Sequence, residues 1–133
     1  MKVIVDTSIW SLVLRRRKKQ QTKTSDKILK LIDESRIVIL GPIRQEILSG
    51  IKIKKQFELL KVYLKAFPDL NLEIKDYELA AEFFNICKAK GVQGSNTDFL
   101  ICAVAVNNNF SIYTSDKDFK LFKNYIPIQL ENL

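Results

Sequence analysis

Apolar positions along the chain follow two periods. Val3-Ile4-Val5 is a continuous β-branched run of the kind that forms a strand buried on both faces. Arg36 to Leu40, Leu70 to Ile74, Ser111 to Thr114 and Ile126 to Leu130 predict further strands. Between them the spacing is helical. A short helix over Ile9 to Leu14 carries Trp10, Val13 and Leu14, and a second one, capped by Thr24 or Ser25, carries Ile28, Leu31 and Ile32. Pro42 opens a third with Ile43, Ile47 and Leu48 on one face and Gly50 as its stop. Lys52 to Phe67 turns Phe57, Leu60, Leu64 and Phe67 inward and ends at Pro68. Asp76 to Lys90 is built on Leu79, Ala80, Phe83, Phe84 and Cys87 and closes at Gly91, and a short helix is expected from Lys117 to Phe122. Phe99 to Val106 is apolar all round, which predicts a helix buried against the sheet. Strands alternate with helices and no repeat or linker divides them. The expected architecture is a single α/β domain over residues 1–133, with a central parallel sheet of four to five strands and helices on both faces.

Composition narrows the chemistry. The longest apolar run, Phe99 to Val106, is far short of a membrane span, and the apolar start is only a few residues long and is interrupted by Asp6, unlike a signal peptide, so a cytoplasmic protein without a membrane partner is expected. Cys87 and Cys102 lie in apolar helical stretches and act as small hydrophobes, neither a disulfide nor a zinc site. The chain has no histidine, which excludes a His-dependent triad, a His-pair ribonuclease and a typical zinc hydrolase. Twenty-two Lys and Arg against fifteen Asp and Glu give a net charge of +7, a balance that suits a polyanionic partner.

Four acids stand at turns or helix starts beside apolar structure. Asp6 ends the first strand, Glu46 lies one turn into the helix after the second, Asp98 opens the buried helix and Asp116 follows the Ser111 to Thr114 strand. Taken alone, Asp6 is better read as a cap of the next helix. In a parallel sheet, however, all four can converge on one edge, the carboxyl edge where ligands bind. Two carboxylates ~4 Å apart repel by about 4 kcal/mol even at an effective dielectric of ~20. Such a cluster therefore calls for a hard divalent cation, Mg²⁺ or Mn²⁺, which takes oxygen ligands and also binds phosphate.

Taken in order, Val5-Asp6-Thr7-Ser8-Ile9-Trp10, Arg44-Gln45-Glu46-Ile47, Thr97-Asp98-Phe99-Leu100-Ile101-Cys102-Ala103 and Thr114-Ser115-Asp116-Lys117-Asp118-Phe119 resemble the four acidic motifs of PIN-domain ribonucleases, most closely the VapC-type toxins of toxin–antitoxin systems. The departures are Cys102 in place of alanine and Asn107-Asn108-Asn109 in place of a glycine before the next strand; Asn109 can take the left-handed conformation such a turn needs. The resemblance implies a metal-dependent endoribonuclease in which Asp6, Glu46, Asp98 and Asp116 hold one or two Mg²⁺ or Mn²⁺ ions. It also implies an RNA substrate, with loops of tRNA or ribosomal RNA as targets, a cognate antitoxin and a homodimer.

Around these acids, Thr7, Ser8 and Thr114 either orient the carboxylates or simply cap helices and finish strands, with the resemblance favouring orientation for Ser8 and Thr114. Asp118, two residues past Asp116, faces elsewhere on a helix and reads as an auxiliary group or a cap. Trp10 is either a core and interface anchor or a surface on which a base stacks. Arg15, Arg16, Arg17, Lys18 and Lys19 form either a solvated loop or an RNA-phosphate contact; once the four acids are neutralised, eleven acids face twenty-two bases, which favours contact. Three rival readings exist. A haloacid-dehalogenase-like phosphatase wants a second Asp where Ser8 stands. A non-catalytic module binding RNA or protein would usually have lost an acid. The third is a PIN nuclease of RNA processing; single-domain size and the Asp6-Thr7-Ser8 opening favour the toxin type, and a small acidic antitoxin encoded next door is what would discriminate the two.

Overall fold

The computed structural model describes residues 1–14 and 23–132. Strand β1 (Val3–Val5) lies between β2 (Ile37–Val38) and β3 (Ser111–Tyr113), all parallel, in the order β2-β1-β3. Val3 pairs with Ile37 and Ser111, Ile4 with Val38 and Ile112, and Val5 with Tyr113. Every residue of the three strands is buried. Successive strand side chains point to opposite faces, so equal burial of Val3, Ile4 and Val5 means that both faces are covered. Because the strands are parallel, β1 and β3 deliver Asp6 and Thr114, the residues at their carboxyl ends, to one edge.

Seven helices are described: α1 (Thr7–Leu14), α2 (Lys23–Asp33), α3 (Gly41–Leu48), α4 (Lys54–Leu64), α5 (Ile74–Ala89), α6 (Asn96–Asn108) and α7 (Asp118–Phe122). None is long and apolar enough to cross a membrane. Helix α6 is buried from Phe99 to Ala105, as its all-apolar run predicts, and packs between α5 and β3. It ends at Asn109, whose φ of 57° is the left-handed turn expected there. Trp10 meets Phe67 edge-on at 5.3 Å, and a second aromatic group joins Phe84, Phe99, Phe122 and Phe119. Both cysteines are buried and free.

Two expected strands do not form, so among the described residues the sheet has three strands and not four to five. Ile126 to Leu130 reduces to one parallel bridge between Ile112 and Leu130, because Pro127 has no N–H to give to a ladder. Leu70 to Ile74 reduces to a bridge between Ile39 and Asp69, since the N–H of Glu73 is taken by Asp76 Oδ2 in the capping box that starts α5. The β2 run is shorter than predicted for the same local reason: Ile39 donates to the Pro68 carbonyl and accepts from Leu70, outside the ladder. Thr24 and Ser25 lie inside α2, which is described from Lys23 onward.

Candidate active site

Asp6 stands directly after the last residue of β1 and keeps only 7% of its surface. Its N–H bonds the Tyr113 carbonyl at 2.9 Å, locking the exit of β1 to that of β3, and its own carbonyl accepts from Ile9 and Trp10 to start α1. The carboxylate is held by hydroxyls. Ser8 Oγ and Thr114 Oγ1 each donate to Asp6 Oδ2 at 2.8 Å. Each hydroxyl in turn accepts a backbone N–H: Ser8 from Ser115 at 3.1 Å, Thr114 from Asp116 at 3.0 Å. A hydroxyl that accepts an N–H is polarised into a better donor, so the loop after β3 and the carboxylate after β1 are joined by two cooperative relays.

Asp116 is fixed by its own turn, its Oδ1 accepting the Asp118 N–H at 2.9 Å. Asp118 thus takes part through its backbone, while its side chain is exposed at the first turn of α7. Asp98 is the third residue of α6 and is held by a capping box. Ser95 Oγ accepts the Asp98 N–H at 3.0 Å, and Asp98 Oδ2 accepts the Ser95 N–H at 3.1 Å. The sequence marks Gly94-Ser95-Asn96-Thr97 as a loop with good capping residues; the structure makes Ser95 the cap that holds Asp98, a pairing whose sequence signal is Ser95-x-x-Asp98 before an apolar run. Glu46 lies on α3, more exposed than the other three acids.

Two of the acids, Asp98 and Glu46, are shifted by burial and by the charges of their neighbours. Burial raises the pKa of Asp98; the Ser95 bonds offset part of that, and the charges of Asp116 and Asp6 add to it. Burial likewise raises the pKa of Glu46, Thr7 eases it, and Asp6 and Asp98 push it further up. Asp98 is therefore the hub to which the other three are electrostatically linked. The Thr7 hydroxyl is close enough to ease the Glu46 charge, but hydrogen bonds are directional and its geometry falls short of one. Thr7 Oγ1 is thus a buried oxygen without a hydrogen-bond partner. As the side chains stand, no group of three or more Asp, Glu or Cys residues among the described residues is arranged to hold a metal ion. The four carboxylates are gathered but not drawn together.

Nearby, Cys102 is fully buried, and burial first, then the Asp98 charge, raises its thiol well above the usual range, so it is an inert neighbour. Trp10 is fully buried against Phe67, which settles it as packing and leaves no face for a base. Arg15, Arg16, Arg17, Lys18 and Lys19 lie outside the described residues.

Residues 3–124 match the PIN domain family. A VapC ribonuclease of Mycobacterium bovis is 27% identical over 131 residues, covering 96% of each chain. Ribonuclease VapC11 of Mycobacterium tuberculosis matches to the same extent. The fold is similar to that in a crystal structure of VapBC2 from Rickettsia felis bound to a DNA fragment from its promoter, with a TM-score of 0.80, 22% identity and coverage of 100% and 99% of the two chains. It is also similar to VapBC-1 from nontypeable Haemophilus influenzae, with a TM-score of 0.78, 18% identity and coverage of 99% and 98%.

Proposed function

Because the chain belongs to the PIN-domain family, we propose that it is a Mg²⁺- or Mn²⁺-dependent endoribonuclease that hydrolyses RNA phosphodiesters and serves as the toxin of a toxin–antitoxin pair. The observation that carries this reading is the electrostatic linkage of Asp6, Glu46, Asp98 and Asp116 at one sheet edge of a basic protein. Carboxylates held under mutual repulsion are costly to keep unless a cation joins them. The donor set fits a hard one: carboxylates, hydroxyls and the partnerless Thr7 Oγ1, with the one nearby thiol protonated and buried.

Asp6, Glu46, Asp98 and Asp116 would hold the ion. A bound divalent cation supplies a lowered pKa for water and offsets negative charge on the departing oxygen. The rest is done by the chain. Ser8 and Thr114 occupy Asp6 Oδ2 and fix the carboxylate plane, which makes Oδ1 the freer donor. The Ser95 box fixes Asp98, and the Asp118 N–H fixes Asp116. Attack by water would need no histidine base, which fits a chain without histidine, and would leave 5′-phosphate and 3′-hydroxyl ends.

The VapC ribonucleases and VapBC complexes among the similar proteins support a cognate antitoxin as partner. A homodimer, loops of tRNA or ribosomal RNA as target, a cytoplasmic place of action and a single domain over residues 1–133 belong to the same proposal. Its test is the cleavage of total tRNA, then ribosomal RNA, by antitoxin-free wild type, Asp6→Asn and Asp98→Asn, with Mg²⁺ or Mn²⁺ and with EDTA. Cutting is expected only with metal and both aspartates. A 2′,3′-cyclic phosphate end would overturn the mechanism, and intact RNA throughout would shift the assignment to a binding module.

A further inference from the structure

Beside the carboxylate edge runs a cleft of about 410 Å³ that shares Thr114 and Asp116 with the site and is lined along one side by Lys117, Lys120 and Lys123. The three lysines recur at every third residue across α7 and its two flanking positions, which have helical dihedrals, so they share one side of the helix. At ~1.5 Å per residue the row is about 9 Å long. The opposite side of α7 is spent on the core, since Phe119 and Phe122 are fully buried.

Among the described residues none of the three lysines takes part in an ion pair. The acid across the cleft does not answer them either. Glu131 is bonded by Arg36 at 3.1 Å and Lys27 at 3.4 Å, and it also accepts from Ser111 at 3.1 Å. The cleft therefore presents three lysines without an ion pair in a concave surface that begins at Asp116. Lysines that only keep a helix soluble need no such concavity and no such continuity with a site.

We propose that Lys117, Lys120 and Lys123 form a phosphate-binding wall along which the RNA strand runs to or from the carboxylate cluster. This rests on the ribonuclease reading. A strand with its scissile phosphate at Asp98 and Asp116 must lead its neighbouring phosphates away through adjoining concave surface, and this cleft shares Asp116 itself. Lysine suits the task as a point charge that tracks a flexible backbone without reading bases. The wall thus contributes affinity and strand direction, not sequence preference.

The test reads binding apart from cutting. In an Asp98→Asn background with Mg²⁺, a fluorescein-labelled single-stranded RNA of about 12 mixed nucleotides is titrated across a range of salt by anisotropy. Lys117→Gln/Lys120→Gln/Lys123→Gln is expected to weaken binding tenfold or more at low salt. It should also reduce the magnitude of the slope of log K against log salt by about 2, at ~0.7 per phosphate contact on a single strand. The corresponding triple Arg variant should retain both. If wild type cuts RNA but the Gln triple binds with unchanged affinity and slope, the wall is overturned and the nuclease stands. An unchanged RNA slope together with lost binding to polyglutamate would overturn it in favour of an acidic protein surface. A wild type that neither cuts nor binds RNA removes the nuclease reading and the wall together.

Discussion

Thr114 Oγ1 donates to Asp6 Oδ2 and accepts from the Asp116 N–H, so one hydroxyl sets the position of two acids. Thr114→Val keeps the shape of this buried residue and deletes both bonds, leaving the Asp116 N–H without its acceptor. The expected cost is about 1–3 kcal/mol in urea unfolding, with cleavage reduced by about 10–100-fold. Ser8→Ala should cost less, because Ser8 is only partly buried and Thr114 still anchors Oδ2. Equal effects of the two variants would mean that the hydroxyls act as one unit. Here the sequence was legible for identity and not for wiring. Asp6, Ser8 and Thr114 were visible as candidates, but the order in which N–H groups, hydroxyls and the carboxylate connect depends on Thr114 standing beside Asp6 across 108 positions of chain.

Helix α6 shows how an element places a charge. Its N-terminus is fixed by the Ser95 box, and the glycine before that box is there for space. A Cβ on Gly94 would stand 2.5 Å from Phe122 Cζ and 3.0 Å from Phe99 Cε2, and Phe122 is a fully buried ring with no room to retreat. Gly94→Ala should therefore destabilise by about 1–3 kcal/mol, an overpacking cost. It should also lower activity, because the loop that must give way carries Ser95 and so the position of Asp98. A thermal melt and a cleavage assay on the same preparation check both halves; a stable but inactive variant would place the effect on the loop alone. The glycine was readable as a loop residue from Gly94-Ser95-Asn96-Thr97, whereas the ring it accommodates belongs to α7, 28 residues on. Element types came from periodicity. The two lost strands did not, because Pro127 and the Glu73–Asp76 box act on hydrogen bonds and not on hydrophobic pattern.

Across the protein, the charge balance works against the folded state at the acidic edge. Asp98 and Glu46 have pKa values raised above their unfolded values, so the native state holds those protons more tightly than the unfolded chain does. Stability from these groups is then greatest at acid pH and falls as pH rises from the unfolded values through the raised native ones. Glu131 goes the other way. Burial alone would raise it, but Ser111, Lys27 and Arg36 more than offset that and lower it, so its contribution is lost only at stronger acid and is nearly constant from about pH 5 to pH 7. Metal-free protein should therefore unfold in one transition with a higher Tm at about pH 5 than these groups allow at about pH 7, and Mg²⁺ should raise Tm more at the higher pH. Asp98→Asn keeps an oxygen for the Ser95 N–H while removing the hub charge, so in EDTA it should raise Tm by a few degrees, at ~4 °C per kcal/mol, while abolishing cleavage. Calorimetry with and without EDTA checks this. A lower Tm for Asp98→Asn would show the acids to be held without strain. Strand and helix types, the two-sided burial of Val3 to Val5, the absence of histidine chemistry and the four acids could all be read from the order of residues, because composition and period are local properties of the chain. That Asp98 is the hub, that hydroxyls from two distant segments hold Asp6, and that three lysines along α7 face a cleft beside Asp116 came from the folded arrangement alone. Those features depend on distances between segments that meet only when parallel strands bring their carboxyl ends to one edge.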